Sequence, residues 1–293
     1  MLLSGESWAL AAALAYGLAG VSIAKGKASA RGDNGVYLSC VVTAVIAGLI
    51  WLGSGPTPVP SVAPGELWLA VLAFLAAGVF STVLGRVTLY RATEALGAVT
   101  AGLLRRLTPF FALAFGWLLL REVPGRTELM GGAMILAGVV VYLARPMALS
   151  RGGVLLGVGS AAAYALAYSL RGMGLEHLPD PGLGALIGAL VGCVWFPCAA
   201  LLRRDRVRAL SALVVDRGGW HWLTALALGF GQVMQFFALK TASVAVVAVL
   251  GALDVLFALG FAVLLGAPER IAPARLLPAL ILALSGTAIL FLF

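Results

Sequence analysis

Long apolar stretches, separated by short polar or proline- and glycine-rich segments, run through the whole chain. A helix needs about 20 apolar residues to cross the hydrocarbon core of a bilayer. Ten stretches of roughly that length are present, at residues 7–26, 34–53, 65–91, 96–120, 126–144, 152–171, 182–202, 219–240, 243–266 and 274–293. The pattern predicts an all-α membrane protein with ten transmembrane helices, here called spans 1 to 10. It is unlike a transmembrane barrel, whose strands are segments of about ten residues with alternating polarity.

Composition strengthens this interpretation. The 293 residues are 62% hydrophobic and 11% charged, with a mean hydropathy of +1.05, whereas soluble domains are about 45–50% apolar and about 25% charged. The net charge of +8 is scattered through short loops, which argues against a nucleic-acid-binding surface. Because the three cysteines lie within apolar stretches and the chain has only two histidines, we expect neither a metal site nor a cofactor.

Lysine and arginine are distributed unevenly between the two sets of loops. The loops after the odd-numbered spans hold thirteen of these residues, and the opposite side holds four, namely Arg121, Arg126, Arg171 and Lys240. Basic loops remain in the cytoplasm, and an even number of spans places both termini on one face. The sequence therefore predicts a multi-pass protein of the inner (plasma) membrane with both termini on the outer, periplasmic face.

The two halves of the chain resemble each other at an offset of 146 to 148 residues. Tyr16 matches Tyr164, Gly138 matches Gly286, and Thr108 matches Asp254. We therefore predict two five-helix repeats, residues 1–146 and 147–293. Because five is an odd number, the second repeat enters the membrane in the opposite sense, which is the architecture of many alternating-access carriers.

Several motifs within the repeats point to a known family. They are Tyr16-Gly17 with Lys25, Tyr164-Ala165 with Arg171, Tyr90-Arg91-Ala92, the stretch FFALK at 236–240, Pro109 before an apolar run that closes on Glu122, and Gly131-Gly132 with Gly138. In these features the chain resembles the EamA family of the drug/metabolite transporter superfamily, ten-helix bacterial metabolite exporters similar to the aromatic amino acid exporters. It departs from the family pattern at Val255, where proline is expected, and at Arg105-Arg106.

The resemblance implies a secondary-active transporter, not an enzyme, that exports small metabolites by alternating access. Amino acids or other carboxylate-bearing compounds are the expected substrates. The alternatives are a carrier for cationic drugs or nucleotide sugars, and an intramembrane enzyme or lipid-handling protein. The expected partners are a small-molecule substrate, the lipid bilayer and, in one alternative, a proton. We expect no nucleic-acid partner, and either a monomer or a homodimer.

Arg105 and Arg106 lie side by side in the middle of span 4. A charge at the bilayer centre costs between about 3 and more than about 10 kcal/mol, so such a residue needs water, a partner or a ligand. Three interpretations are open: an arginine binds an anionic group of the substrate, an arginine pairs with Asp254 in span 9, or the pair reaches lipid headgroups or a symmetry mate. Pro109 removes the helical hydrogen bond to the Arg105 carbonyl, which predicts a kink beside the pair.

Other polar and aromatic residues in the spans are candidates for lining a substrate cavity, which in the family is surrounded by spans 1, 3, 4, 6, 8 and 9. Besides Arg105 and Arg106 they are Tyr16, Arg86, Tyr90, Tyr164, Tyr168, Gln232 and Gln235. The alternative for each is a hydrogen bond between helices, worth about 0.6 kcal/mol. Asp254, the only acid deep in a span, is a candidate for an ion pair or for proton coupling, and an arginine partner would oppose the second role.

Overall fold

The computed structural model describes residues 4–54, 63–121, 123, 125–143, 150–266 and 273–292, and the regular elements within them are all helical. The α-helices are α1 Gly5–Gly26, α2 Val36–Gly53, α3 Pro64–Gly78, α4 Arg86–Leu96, α5 Ala98–Arg105, α6 Leu107–Phe115, α7 Arg126–Leu143, α8 Arg151–His177, α9 Pro181–Leu201, α10 Arg206–Val214, α11 Gly219–Thr241, α12 Val244–Gly251, α13 Asp254–Leu264 and α14 Pro273–Leu292. Two π-helical segments, Val79–Gly85 and Gly116–Leu120, follow α3 and α6.

Eight helical segments within this part of the chain are long and apolar enough to cross a membrane, and they correspond to spans 1–4 and 6–9. Helices α7 and α14 lie where spans 5 and 10 were predicted and pack against each other, but they are not among the eight. The prediction of an all-α, multi-pass membrane protein is thus confirmed, and the structure supports eight of its ten spans directly.

Three spans are interrupted near their middles. Span 3 passes from α3 through the π-helical segment Val79–Gly85 into α4. Span 4 breaks at Arg106, between α5 and α6, as Pro109 predicted. Span 9 breaks at Ala252 and Leu253, between α12 and α13, although no proline is present there. Irregular backbone at mid-depth is tolerated only where it faces protein or a cavity, so these breaks lie around the interior of the bundle.

Contacts between loops divide the bundle into two ends. At one end, the Trp51 indole at the end of α2 donates to the Asp180 carboxylate at the start of α9, over 3.1 Å. At the other end, the loop before α2 is bound to Asp216 ahead of α11. We call this the basic end, because it carries the loops after the odd-numbered spans, which hold most of the lysines and arginines. Loops that contact each other belong to the same predicted face in both cases, which agrees with spans that alternate in direction.

One helix forms outside the spans, in residues 203–218, where the sequence predicted a loop. Helix α10, Arg206–Val214, forms there and packs against α2 and α9 at the basic end of the bundle. The Asp205 side chain caps its first turn by accepting from the Arg208 amide. Nine residues are too few for a span, so α10 adds a surface element rather than an eleventh crossing.

Small residues allow the spans to approach closely where the interior is built. A Cβ atom on Gly17 of α1 would lie 2.6 Å from the Asp254 carbonyl oxygen and 2.8 Å from the Ala258 amide nitrogen. A Cβ atom on Gly78 would likewise lie 2.8 Å from the Gly188 carbonyl oxygen. Because such distances are shorter than van der Waals contact, glycine is required at both positions, and the first of them holds α1 against the break in span 9.

Candidate functional site

The breaks in spans 4 and 9 place opposite charges face to face. Arg105 is the last residue of α5 and Asp254 is the first residue of α13. The Arg105 Nη1 atom donates to Asp254 Oδ2 over 2.9 Å, and both side chains are buried. A cation at a helix C-terminus and an anion at a helix N-terminus are each stabilised by the helix dipole. The two interrupted helices therefore create a favourable position for each partner of this ion pair.

Two tyrosines at matching positions of the halves flank Arg105. Its guanidinium carbon lies 5.4 Å from the ring centroid of Tyr16 in α1 and 5.0 Å from that of Tyr164 in α8. Both distances fall within the range of a cation–π contact. Tyr16 also donates through its hydroxyl to Gln235 Oε1 over 3.4 Å, so its ring and its hydroxyl link Arg105 to α11.

Arg86, the first residue of α4, is buried and bridges three spans. Its Nη1 donates to Ser39 Oγ of α2 over 2.9 Å, and its Nη2 donates to Gln232 Oε1 of α11 over 2.8 Å. Tyr90 lies one helical turn beyond Arg86 and is also buried. Within the described residues the hydrogen-bond partners of Arg86 are all neutral groups, so dipoles rather than an acid solvate its charge there.

The position of Arg171 differs from the prediction, in which it belonged to the basic residues of the outer face. It is 1% exposed inside α8, and its Nη1 donates to Gln235 Oε1. Its guanidinium carbon lies 4.8 Å from the ring centroid of Phe236 and 5.8 Å from that of Tyr168. The prediction was wrong because span 6 was ended at Arg171, whereas α8 continues to His177. The apolar and small residues after Arg171 were the signal that it lies within a span.

Arg106 has different surroundings from its neighbour. Its side chain is fully buried, and its Nε, Nη1 and Nη2 atoms have no hydrogen-bond partner within the described part of the chain. The Thr108 hydroxyl beside it is also buried without a partner there. Successive helical residues point about 100° apart, so Asp254 can meet Arg105 but is not hydrogen-bonded to Arg106.

The centre of the bundle is closed. A cavity of about 20 Å³ lies beside Arg105 and Asp254, bordered by residues of α1, α4, α5 and α13. That volume holds about one water molecule. A substrate can therefore reach Arg105 and Asp254 through this cavity only after the surrounding helices have moved.

Comparison with known proteins relates the first half of the chain to a transporter family. Residues 3–144 match the profile of the EamA-like transporter family. The chain carries an EamA-like transporter domain. This places it among the membrane transporters of the drug/metabolite superfamily. A solved crystal structure is similar over 98% of this chain and 98% of its own, with a TM-score of 0.67 and 17% sequence identity. That likeness concerns the fold alone, and it extends through the second half of the chain. No curated protein sequence matches the chain.

The EamA-like fold brings most of the candidate residues from the sequence together. Arg86 contacts Gln232. Arg105 contacts Asp254 and the rings of Tyr16 and Tyr164. The Tyr16 hydroxyl contacts Gln235. Tyr168 lies over Arg171, which the sequence analysis missed as a site residue. Tyr90 and Arg106 are buried nearby and are the least connected of the candidates. Together these residues form what we call the central arginine cluster, made of Arg86, Arg105, Arg106 and Arg171 with their partners.

Proposed function

We propose that this EamA-like transporter exports small metabolites that carry a carboxylate, amino acids or other organic acids, across the inner membrane. The observation that carries the proposal is the charge of the central arginine cluster. Four arginines are buried there, and Asp254 is the one carboxylate buried within a span among the side chains that the structure describes. An excess of buried cations is unfavourable unless an anion is bound during the transport cycle.

The chemistry of arginine favours a carboxylate over a cation as the ligand. Its planar guanidinium presents five N–H donors in a fork that matches the two oxygens of a carboxylate. A cationic drug would instead be repelled by the three arginines of the cluster that form no ion pair with a described residue, in a region of low dielectric constant. The tyrosines beside Arg105 and Arg171 supply apolar walls and hydroxyls of the kind that line small-molecule sites.

Alternating access is the mechanism that we propose for this export. It is supported by interruptions at corresponding places in the two halves, Arg106 in span 4 and Ala252 and Leu253 in span 9. Half-helices that meet near mid-depth around a binding site are typical of carriers built from inverted repeats. In this proposal residues 1–146 and 147–293 move relative to each other and uncover the closed centre to one face at a time.

Asp254 has two candidate roles in the cycle. Its contact with Arg105 favours an ion pair that holds α5 against α13 while the centre is closed. A substrate carboxylate would compete with Asp254 for Arg105, and the pair would open as substrate binds. Proton coupling through Asp254 stays a prediction: it requires Asp254→Asn to lose the dependence of transport on a proton gradient, and a retained dependence contradicts it.

Counterflow in proteoliposomes tests the proposed function. Vesicles with purified protein are preloaded with single compounds from a panel of amino acids, organic acids, nucleotide sugars and organic cations, and the entry of labelled compound is followed. We expect entry of carboxylate compounds, reduced at least tenfold by Arg105→Gln and unchanged by Arg126→Gln, which removes an exposed arginine. Counterflow of cations without any carboxylate contradicts the proposal.

Reporter fusions at each terminus test the orientation. We expect a reporter that is active only in the periplasm to give signal at both ends. Signal from a reporter that is active only in the cytoplasm contradicts the predicted placement of the termini.

A further inference from the structure

Arg86 and Arg171 end on the same face of one helix, although they come from different halves of the chain. Arg86 donates to Gln232 Oε1 and Arg171 donates to Gln235 Oε1. Both glutamines belong to α11 and are buried. Residues three apart lie on the same face of an α-helix, with a rise of roughly 4.5 Å between them. The two guanidinium groups thus approach two neighbouring positions along a single surface.

Neither of these two arginines has an acidic partner among the residues that the structure describes. Asp254 forms its ion pair with Arg105, so it compensates a third charge. The glutamine oxygens are neutral acceptors, and the Nε atoms of Arg86 and Arg171 and the Nε2 atom of Gln232 are buried without a hydrogen-bond partner among the described residues. Each guanidinium therefore retains a donor, and a nearby amide retains another, in a region closed to water.

The surroundings of Arg171 suit binding of a carboxylate rather than of water. Its guanidinium lies over the rings of Phe236 and Tyr168. Aromatic faces hold the guanidinium plane in one orientation while they leave its edge, where the donors are, open to a ligand. At Arg86 the hydroxyl of Ser39 fixes Nη1 in a similar way, over 2.9 Å. Both arginines are held in position before a ligand arrives.

We propose that Arg86 and Arg171 each bind one of two acidic groups of the same substrate, so that the transporter prefers short dicarboxylates. Gln232 and Gln235 occupy the two positions through their carbonyl oxygens when the centre is closed, and they turn aside when the diacid enters. Carbon chains with two or three atoms between the carboxyl groups separate the two carboxylate carbons by roughly 4 to 5 Å, which matches the helical rise. This inference rests on the proposed function, because it names the substrate class within carboxylate export.

A matched pair of compounds isolates the second acidic group. Succinate and succinamate have nearly the same shape, but the amide lacks one negative charge, and aspartate and asparagine form a second pair of this kind. Counterflow is measured for each compound in vesicles that contain the unmodified protein. We expect at least a tenfold higher rate for the diacid of one pair than for its monoamide, and equal rates within both pairs overturn the proposal.

Variants assign the preference to the two arginines. Arg171→Gln and Arg86→Gln are each expected to lower the ratio of diacid to monoamide rates to below threefold, and Arg126→Gln to leave the ratio unchanged. The ratio does not depend on how much protein folds and inserts. A ratio that stays unchanged in both cluster variants overturns the assignment. If either variant is inactive, the difference in thermal stabilisation of the detergent-solubilised variant by succinate and by succinamate replaces the ratio.

Failure of this inference is distinguishable from failure of the proposed function. Vesicles that transport monocarboxylates at the same rate as diacids retain carboxylate export and contradict only the dicarboxylate preference. Vesicles that transport no carboxylate at all contradict both.

Discussion

The buried arginines at the centre of the bundle and the aspartates at its basic end differ in how completely their charged groups are hydrogen-bonded. At the basic end, Asp216 is 3% exposed and accepts from the backbone amides of Arg31, Gly32 and Asn34, at distances of 2.7 to 2.9 Å. At the centre, Arg106 is fully buried and has no hydrogen-bond partner in the described parts of the chain. One charged group is fully hydrogen-bonded within the protein, and the other is not.

A second aspartate at the same end follows the pattern of Asp216. The Asp33 carboxylate accepts from the amides of Gly35 and Tyr37, over 2.9 and 2.7 Å, at the start of α2. Through backbone amides, Asp216 ties the loop before α2 to the segment before α11, and Asp33 binds the first residues of α2. These two aspartates are hydrogen-bonded through both carboxylate oxygens, whereas the central arginines keep buried donors without a partner among the described residues, and the proposed function assigns those donors to a substrate anion.

The largest effect is expected when the one central acid is removed. Asp254→Ala leaves Arg105 as an uncompensated buried charge, and breaking a buried pair in this way costs about 3 to 5 kcal/mol. We expect a correspondingly lower free energy of unfolding in detergent and loss of counterflow. Partial recovery of stability in the double variant Arg105→Asp with Asp254→Arg would show that the pair itself is responsible. A stable, active Asp254→Ala protein would contradict the claim that the Arg105–Asp254 pair stabilises the centre of the bundle and is needed for transport.

A smaller loss is expected at the basic end. Asp216→Asn replaces a charged acceptor with an amide whose NH₂ group faces a backbone donor. Hydrogen bonds to a charged group contribute about 1.5 to 3 kcal/mol each, so we expect a loss of about 2 kcal/mol in unfolding free energy. Because this aspartate is structural, the order of substrate preference in counterflow should be unchanged. A changed order would contradict the structural role.

The sequence predicted the membrane class, the positions of eight spans and most residues of the centre, because each depends on local features. Span length, charge bias between loops and Pro109 are properties of short segments. Two features escaped prediction because they depend on tertiary contact. The break at Ala252 and Leu253 has no proline and lies where α1 packs closest to span 9 at Gly17.

Arg171 escaped for a related reason. Charge alone assigned it to a loop, and only its contact with Gln235 shows that α8 carries it into the interior. A buried arginine is stabilised by partners far away in sequence, here 64 residues distant, and no local pattern reports such partners. The sequence suggested that Arg105 pairs with Asp254 because both lie at mid-span, but it left substrate binding and lipid contact open as well. Only the 2.9 Å distance between Arg105 Nη1 and Asp254 Oδ2 shows the ion pair.

A gain in stability is expected when the unpartnered arginine is replaced. Arg106→Met removes a buried charge that has no side-chain hydrogen bond within the described part of the chain, and it keeps a long side chain. Replacement of buried charged groups by apolar residues of similar size is commonly neutral or stabilising, and we expect a gain of about 1 kcal/mol together with slower transport. Leu103→Met, a change within the same buried stretch, is the control and should have a smaller effect. A loss of stability in the arginine variant would show that Arg106 has a structural partner.

The smallest effect concerns the pH dependence of the basic end. Burial raises the pKa of Asp33 from 3.8 to about 6, against the lowering effect of the amides of Tyr37 and Gly35. An acid with a raised pKa binds its proton more tightly in the folded state, so its contribution makes the protein less stable as the pH rises from 3.8 to about 6. Asp33→Asn should flatten this slope in thermal unfolding measured between these pH values. An unchanged slope would contradict the assignment to Asp33.

The central claim is that the arginine cluster binds an anion, and ligand-dependent thermal unfolding of the purified protein tests it without requiring transport. Short dicarboxylates, monocarboxylates and organic cations of matched size are compared at the same ionic strength. We predict that carboxylates raise the Tm, that dicarboxylates raise it most, and that Arg171→Gln removes the difference between dicarboxylates and monocarboxylates. Stabilisation by the cations alone, with no response to any carboxylate, would contradict the claim.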